Sequence, residues 1–299
     1  MSNHHHHHHH HGGDHTDERA LKRAFFLIAG FMGVELVVGL WANALVLIAD
    51  AGHMFLDATA LGLAWWAVKV SKKDTNHSLS YGYHRMQVLA AFVNGITLVL
   101  LIGWIVVEAG SRLWTPQPMQ PGPALVVAVL GLLVNLIAFK WLHDGSDSLN
   151  MRSAVLHVLG DLLGSAAAIV AALCVLFLGW LYADPMLALL IAVILGRGAW
   201  RVLRESGHIL LEGVPEGIDL KDIRQSLCQQ IPGLADVHHV HAWALTAEKP
   251  LLTLHAQVHE ESQIERVTFD IKKLLNERYG IDHSTIQVEL QDCPDEHDH

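Results

Sequence analysis

The chain has 299 residues, of which 30 are acidic and 20 are basic, so its formal charge is −10, and only 17% of its residues are charged. Apolar residues make up 52% and the mean hydropathy is +0.31, a composition that excludes an intrinsically disordered chain and indicates segments embedded in lipid. The net negative charge lies entirely in the last 92 residues, which hold 17 acidic and 7 basic side chains; this excess argues against nucleic acid as a partner and favours cations or proteins.

A histidine-rich tail is predicted over residues 1–20. Eight consecutive histidines, His4–His11, precede Gly12 and Gly13, a pattern typical of an expression tag. A native metal-collecting tail is the alternative interpretation. In either case we expect this tail to be disordered.

Residues 21–207 are predicted to form a transmembrane domain of six helices. Six apolar stretches are each near or above the ~20 residues that a helix needs to cross a bilayer. They lie at about Ala24–Trp41, Ala44–Val70, Met86–Arg112, Pro121–Trp141, Ser153–Leu178 and Pro185–Leu203. The second and fifth stretches carry ionisable side chains, which are costly in lipid and therefore point to a function.

The basic residues predict the orientation of these spans. An even number of spans places both termini on one side of the membrane. Basic residues concentrate at the ends and in the loops around residues 71–85 and 142–152, whereas Arg112 flanks the opposite side. By the positive-inside rule, we expect both termini and these two loops to be cytoplasmic.

A cytoplasmic domain is predicted over residues 208–292, with a disordered tail at residues 293–299. Short alternating runs replace the long apolar stretches and indicate the order helix, strand, strand, helix, strand. These elements lie near Asp219–Gln230, Asp236–Leu245, Leu251–His259, Ser262–Tyr279 and Ser284–Leu290. The predicted fold class is therefore an α-helical membrane protein whose six-helix bundle precedes an α-β-β-α-β, ferredoxin-like domain.

Two His-Asp pairs within the predicted spans carry the strongest chemical signal. His53 and Asp57 are four residues apart in the second span, as are His157 and Asp161 in the fifth, so each pair lies on one helix face. Two imidazoles and two carboxylates from facing helices form a four-coordinate site suited to Zn²⁺. Structural ion pairs are the alternative, but two such pairs within membrane spans favour metal ligation.

Other polar residues in the spans also need an explanation. Asp50 shares a helix face with the first His-Asp pair, so it either supports the metal ligands or is an acid near the helix start. Glu35, Asn94 and Asn135 are costly in lipid, and we expect them to face the helix bundle or a water-filled cavity.

The strings A-D-A-G-H-M-F-L-D at residues 49–57 and L-H-V-L-G-D at residues 156–161 resemble the cation diffusion facilitator family, as do the six spans and the C-terminal domain. Within that family, the chain is most similar to bacterial zinc exporters. The resemblance implies a homodimer embedded in the lipid of the inner membrane. It also implies an antiporter that exports Zn²⁺ from the cytosol in exchange for protons. His53, where some members have Asp, implies the zinc-selective variety.

The ligand types suggest how zinc and protons exchange. Zn²⁺ binds neutral imidazole and ionised carboxylate, so loading the site expels protons and protonating the site expels the metal. Alternating access to the two sides of the membrane completes the cycle. We therefore expect a secondary transporter rather than an enzyme.

The resemblance also implies a second zinc site, in the cytoplasmic domain. It matches His238, His255 and Glu289, with Asp292 or Cys293 as possible extra ligands. A slip of one residue in the strand register would substitute His239 for His238. The alternative interpretation is a polar, solvated sheet face.

Two further pairs match family positions. Asp74 and His77 match two ligands of a loop metal site, although Tyr83 stands where the next ligand is expected. Arg85 and Glu212 match a charge interlock at the membrane boundary, which would couple the cytoplasmic domain to the helices. Two solvated side chains that contribute ~0–1 kcal/mol are the alternative for this pair.

Two other function classes fit parts of the pattern less well. An intramembrane zinc protease needs His-Glu-x-x-His, whereas residues 53–57 read His-Met-Phe-Leu-Asp. Four protein ligands would also leave no open position on the metal for catalysis. A membrane-tethered zinc sensor would use the acidic domain and need no ligands buried within two spans.

Overall fold

A computed structural model describes residues 14–71, 79–143, 149–290 and Cys293. Six long helices come first in the chain: α1 (Asp14–Ala42), α2 (Leu45–Ser71), α3 (Arg85–Trp114), α4 (Pro121–His143), α5 (Leu149–Leu178) and α6 (Ala183–Leu210). The predicted tails lie outside the described residues, apart from Asp14–Ala20 at the start of α1 and Cys293.

Four stretches of the described helices are long and apolar enough to cross a membrane: Arg85–Trp114, Pro121–Trp141, Val158–Leu178 and Ala183–Leu210. They coincide with the last four predicted spans. In α1 the described apolar stretch covers Phe26–Ala42, and the first half of α2 carries three ionisable residues. The chain therefore has a helical membrane domain. That this domain has six spans stays a prediction.

The described residues pack into two compact units, one formed by those within 1–62 and 94–200 and the other by those within 63–93 and 201–299. Small side chains dominate the apolar core of the first unit, which lets helices approach closely. The fully buried members of this core include Ala42, Leu45, Ile105, Ala128, Ala171 and Ala188.

The turn between α1 and α2 is held by residues from α3 and α6. Asn43 has a left-handed backbone with φ 55°, which asparagine tolerates. The Arg112 guanidinium donates to the Asn43 backbone oxygen and to its Oδ1, both at 2.8 Å. The Asp184 carboxylate accepts hydrogen bonds from the N–H groups of Leu45 at 2.8 Å and Val46 at 3.1 Å, and thereby caps the first turn of α2.

The cytoplasmic part has the predicted α-β-β-α-β order. Its elements are α7 (Leu220–Gln230), β1 (Leu234–Ala244), β2 (Pro250–Val258), α8 (Ile264–Tyr279) and β3 (His283–Glu289), with a short 3₁₀ turn at Glu261–Gln263 before α8. The sheet order is β1-β2-β3, with β1 antiparallel and β3 parallel to β2. Apolar side chains from α7, α8 and the sheet form one core, so this is a small α/β domain. The ferredoxin-like assignment stays a prediction.

An irregularity in β1 determines which histidines face each other. His238 lies opposite His255, whereas His241 lies opposite Thr253, so β1 holds one more residue than β2 in this interval. The extra residue forms a β-bulge in which His239 has φ 47°. The register therefore pairs His238 with His255, and the one-residue slip that would substitute His239 does not occur.

Candidate metal centres

The first candidate centre lies in the helical membrane domain. His53 and Asp57 sit one turn apart on α2, with 3.2 Å between His53 Nε2 and Asp57 Oδ2, and their side chains are 17% and 20% exposed. Asp161 on α5 is fully buried. His157 also lies in α5, but its side chain is outside the described residues.

Helix α2 meets α5 at one point, where the side chain of Asp50 lies against Gly164. Gly164 lies one turn after Asp161, and a Cβ at this position would be 2.2 Å from Asp50 Oδ1. Asp50 is 3% exposed and interacts electrostatically with Asp161. This contact therefore joins the helix that carries His53 and Asp57 to the helix that carries Asp161.

The second candidate centre lies on the sheet of the cytoplasmic domain. One potential ligand atom from each of His238, His255, Glu289 and Cys293 lies within 4.8 Å of all the others. Glu289 Oε2 is 3.1 Å from His238 Nε2, and its Oε1 is 3.0 Å from His255 Nδ1. Cys293 Sγ is 3.4 Å from His255 Nδ1. Asp292 is outside the described residues.

The strand pairing explains why these four side chains converge. His238 and His255 are cross-strand partners, and Glu289 at the end of β3 pairs with Gln257, two residues along β2. Cys293, which follows β3 in the chain, lies at the same cluster. The bulge also places the ring centroid of His239 4.9 Å from that of His255. The regular alternation of side chains along a strand does not predict this proximity.

The electrostatics of Glu289 favour the form that binds a metal. Burial of Glu289 opposes ionisation, but hydrogen bonds from Gln287 and Cys293 and the nearby imidazoles of His255 and His238 outweigh it, and they hold the pKa of Glu289 below its usual value. The ionised carboxylate is the form that ligates a cation.

Of the other two predicted pairs, the structure describes the charge pair Arg85 and Glu212 but not the loop pair. Arg85 Nη2 lies 2.9 Å from Glu212 Oε1, with 35% and 61% of the two side chains exposed. Glu212 follows the last turn of α6 with φ 59°, in the left-handed region. Asp74 and His77 lie outside the described residues.

Comparison with known proteins assigns both parts of the chain to families. The family model described as the cation efflux transmembrane domain matches residues 21–211. The model described as the cytoplasmic domain of cation efflux proteins matches residues 215–291.

The chain is also similar to individual proteins over nearly its whole length. It is 44% identical over 288 residues to the zinc transporter ZitB of Escherichia coli K12, a match that covers 95% of this chain and 92% of the relative. It is 36% identical over 280 residues to the cadmium, cobalt and zinc/H(+)-K(+) antiporter of Bacillus subtilis 168, covering 92% and 90%. The metal cation efflux system protein CzcD of Cupriavidus metallidurans is 38% identical over 282 residues, covering 93% and 88%.

Among solved structures, one match is the metal-bound C-terminal domain of the CzcD transporter from the same bacterium. It is 32% identical with a TM-score of 0.23, and the match covers 24% of this chain and 100% of that one.

Proposed function

The chain belongs to the cation efflux, or cation diffusion facilitator, family of membrane transporters, and from that premise we propose that it exports Zn²⁺ from the cytosol in exchange for protons. Zinc as the substrate is supported by the 44% identity to a zinc transporter over most of both chains. Proton exchange is supported by the name of the Bacillus subtilis relative, an antiporter of these metals with H⁺ and K⁺.

We propose His53, Asp57, His157 and Asp161 as the ligands of the transported ion. The observation that carries this assignment is the partly shielded pair His53 and Asp57 on α2, whose neighbour Asp50 contacts α5 at Gly164, one turn after the buried Asp161. Two nitrogen and two oxygen donors suit tetrahedral Zn²⁺.

The exchange follows from competition between metal and protons for the same atoms. On the cytoplasmic side the ligands are deprotonated and load Zn²⁺; on the opposite, more acidic side, protons displace the ion. Alternating access then returns the protonated ligands to the cytoplasmic side. The expected location is the inner membrane, with six spans and both termini in the cytoplasm.

We propose that the cytoplasmic domain holds Zn²⁺ at His238, His255 and Glu289, with Cys293 as a fourth ligand, and that the protein works as a homodimer through this domain. The mutual distances below 4.8 Å support the site. We keep the loop site at Asp74 and His77 as a proposal from the sequence.

The transport proposal is tested by zinc-driven proton flux in proteoliposomes. We expect His53→Ala and Asp161→Ala each to abolish the flux while the protein still elutes as a folded dimer, because either change removes a ligand from a four-ligand site. Phe55→Ala is the control, since this side chain on α2 is 52% exposed. Flux that persists in either ligand variant would exclude the site from the transport mechanism.

A further inference from the structure

Three buried side chains in the membrane domain have polar atoms that the proposed zinc site does not use. Glu35 on α1 is 1% exposed, Asn135 on α4 is 2% exposed and Asp50 on α2 is 3% exposed. Within the described part of the chain, both carboxylate oxygens of Glu35, Oδ1 of Asn135 and Oδ2 of Asp50 have no hydrogen-bond partner. Each such atom costs about 1–3 kcal/mol when buried, so these four atoms require an explanation.

Two glycines bring these side chains together with Ser165. A Cβ at Gly131 on α4 would lie 2.8 Å from Glu35 Oε1 and 3.3 Å from Ser165 Oγ, so both oxygens border the space left by that glycine. Asn135 Nδ2 donates to Ser165 Oγ at 3.2 Å, which leaves the amide oxygen available.

Asp50 reaches the same region from α2. Its carboxylate lies against Gly164, the residue directly before Ser165 in α5. Oxygen atoms from α1, α4 and α5 therefore meet around Gly131, and the Asp50 carboxylate from α2 lies at the adjacent residue of α5 and interacts electrostatically with Glu35.

The charge of this region calls for a cation. Glu35 and Asp50 interact electrostatically with each other and with Asp161. Among the described residues, no lysine or arginine forms an ion pair with either carboxylate; the buried Arg112 is engaged by Glu108 and Asp184 instead. An ionised carboxylate that is buried needs a compensating positive charge, which either a proton on the carboxyl group or a bound cation supplies.

The donor types identify the class of cation. Two carboxylates, one amide oxygen and one hydroxyl offer only oxygen atoms, which hard cations prefer, whereas Zn²⁺ favours sites with nitrogen or sulfur ligands. We propose that Glu35, Asp50, Asn135 and Ser165 form a second cation site, which binds a hard cation of the alkali or alkaline-earth class.

The second site extends the proposed zinc/proton exchange, and its effect on zinc rests on the proposed role of Asp161 as a zinc ligand. Asp161 is a proposed zinc ligand and also an electrostatic neighbour of Glu35 and Asp50. A cation bound among the oxygen donors disfavours Zn²⁺ at the ligands by charge repulsion, and Zn²⁺ disfavours that cation by the same factor. The site thus gives the transporter a means to couple zinc release to a counter-cation.

The test is equilibrium binding of Na⁺, Rb⁺ as a substitute for K⁺, and Mg²⁺ to the purified full-length protein at constant pH. We expect saturable binding of at least one of these ions, weakened by added Zn²⁺. Glu35→Gln removes a charge and Gly131→Ala places a methyl group against Glu35 Oε1, so each should lower the affinity about tenfold or more.

Two matched controls separate the site from general damage to the helices. Gly122→Ala changes another glycine of α4, where a Cβ would meet nothing within 4 Å, and should bind like wild type. Ser165→Ala is compared with Ser206→Ala, which removes a buried hydroxyl that donates to the Val202 backbone oxygen and should also bind like wild type. Gly131→Ala and Ser165→Ala test the second site even if Glu35→Gln does not fold.

Absence of saturable binding of all three ions, or wild-type affinity in Gly131→Ala and Ser165→Ala, would overturn the second site. Zinc-driven proton flux measured on the same wild-type preparation distinguishes this failure from failure of the proposed function. Intact flux without hard-cation binding refutes only the second site, whereas absent flux in wild type refutes zinc/proton antiport.

Discussion

Cys293 is the residue whose position most changes the chemistry of the cytoplasmic centre. It lies beyond the last strand, yet its Sγ belongs to the same cluster as His238, His255 and Glu289. A thiolate is a softer and stronger zinc ligand than a carboxylate, and it completes a four-ligand set. The centre is therefore expected to prefer Zn²⁺ over Mg²⁺ or Ca²⁺.

We predict that Cys293→Ser weakens zinc binding at the cytoplasmic centre by at least about tenfold, since even the loss of a residue that supports a ligand has that effect. The measurement is competition with a chromophoric chelator under reducing conditions, in a His53→Ala background that removes the membrane site. Cys228→Ser is the control, because Cys228 packs against the apolar core of the same domain. Equal affinities of the two serine variants would show that Cys293 is not a ligand.

At the scale of helices, a residue of α6 caps the N-terminus of α2, the helix that carries two of the proposed zinc ligands. Asp184 accepts the first two N–H groups of α2 and lies 3.6 Å from Arg112, with only 4% and 9% of these two side chains exposed. This contact holds the helix that carries His53 and Asp57.

We predict that Asp184→Ala lowers the free energy of unfolding by about 3 kcal/mol, because it leaves Arg112 as a buried charge with a lost partner and removes the cap of α2. Glu108→Ala removes the other carboxylate next to Arg112, but its side chain is 36% exposed, so about 0–1 kcal/mol is expected. Denaturant unfolding in detergent measures both values. Similar losses in the two variants would contradict a special role for the cap.

At the scale of the whole molecule, the contact between Arg85 and Glu212 joins the start of α3 to the segment after α6. Both residues lie in the compact unit that includes the cytoplasmic domain. Their exposure implies a small contribution to stability, so a functional role must show itself in transport. Glu212 also adopts a left-handed backbone, which is uncommon for glutamate.

We predict that Arg85→Glu and Glu212→Arg each reduce zinc-driven proton flux through like-charge repulsion, and that the double variant regains most of it. The measurement is the proteoliposome flux assay at low ionic strength, where screening is weakest. Exchanging the exposed pair Arg266 and Asp270 on α8 serves as the control and should leave the flux unchanged. A double variant no better than the single variants would exclude electrostatic coupling.

Local patterns in the sequence were sufficient to predict the elements of this protein. Apolar length predicted the membrane helices, and alternation predicted the α-β-β-α-β order, because both depend on neighbouring residues along the chain. The spacing of His53 and Asp57 likewise followed from the helix period. The His157 side chain and the loop pair Asp74 and His77 lie outside the described residues, so these assignments stay predictions, as does the number of spans.

Only the tertiary structure decided which distant side chains meet. The bulge at His239 determines that His238 faces His255, and the packing around two glycines places Glu35 beside Ser165 and Asp50 against Gly164. No periodicity predicts such contacts, because strand register and helix approach depend on side-chain volumes from several elements at once. The sequence determined which helix or strand carries each functional residue, while long-range packing determined which of those residues act together.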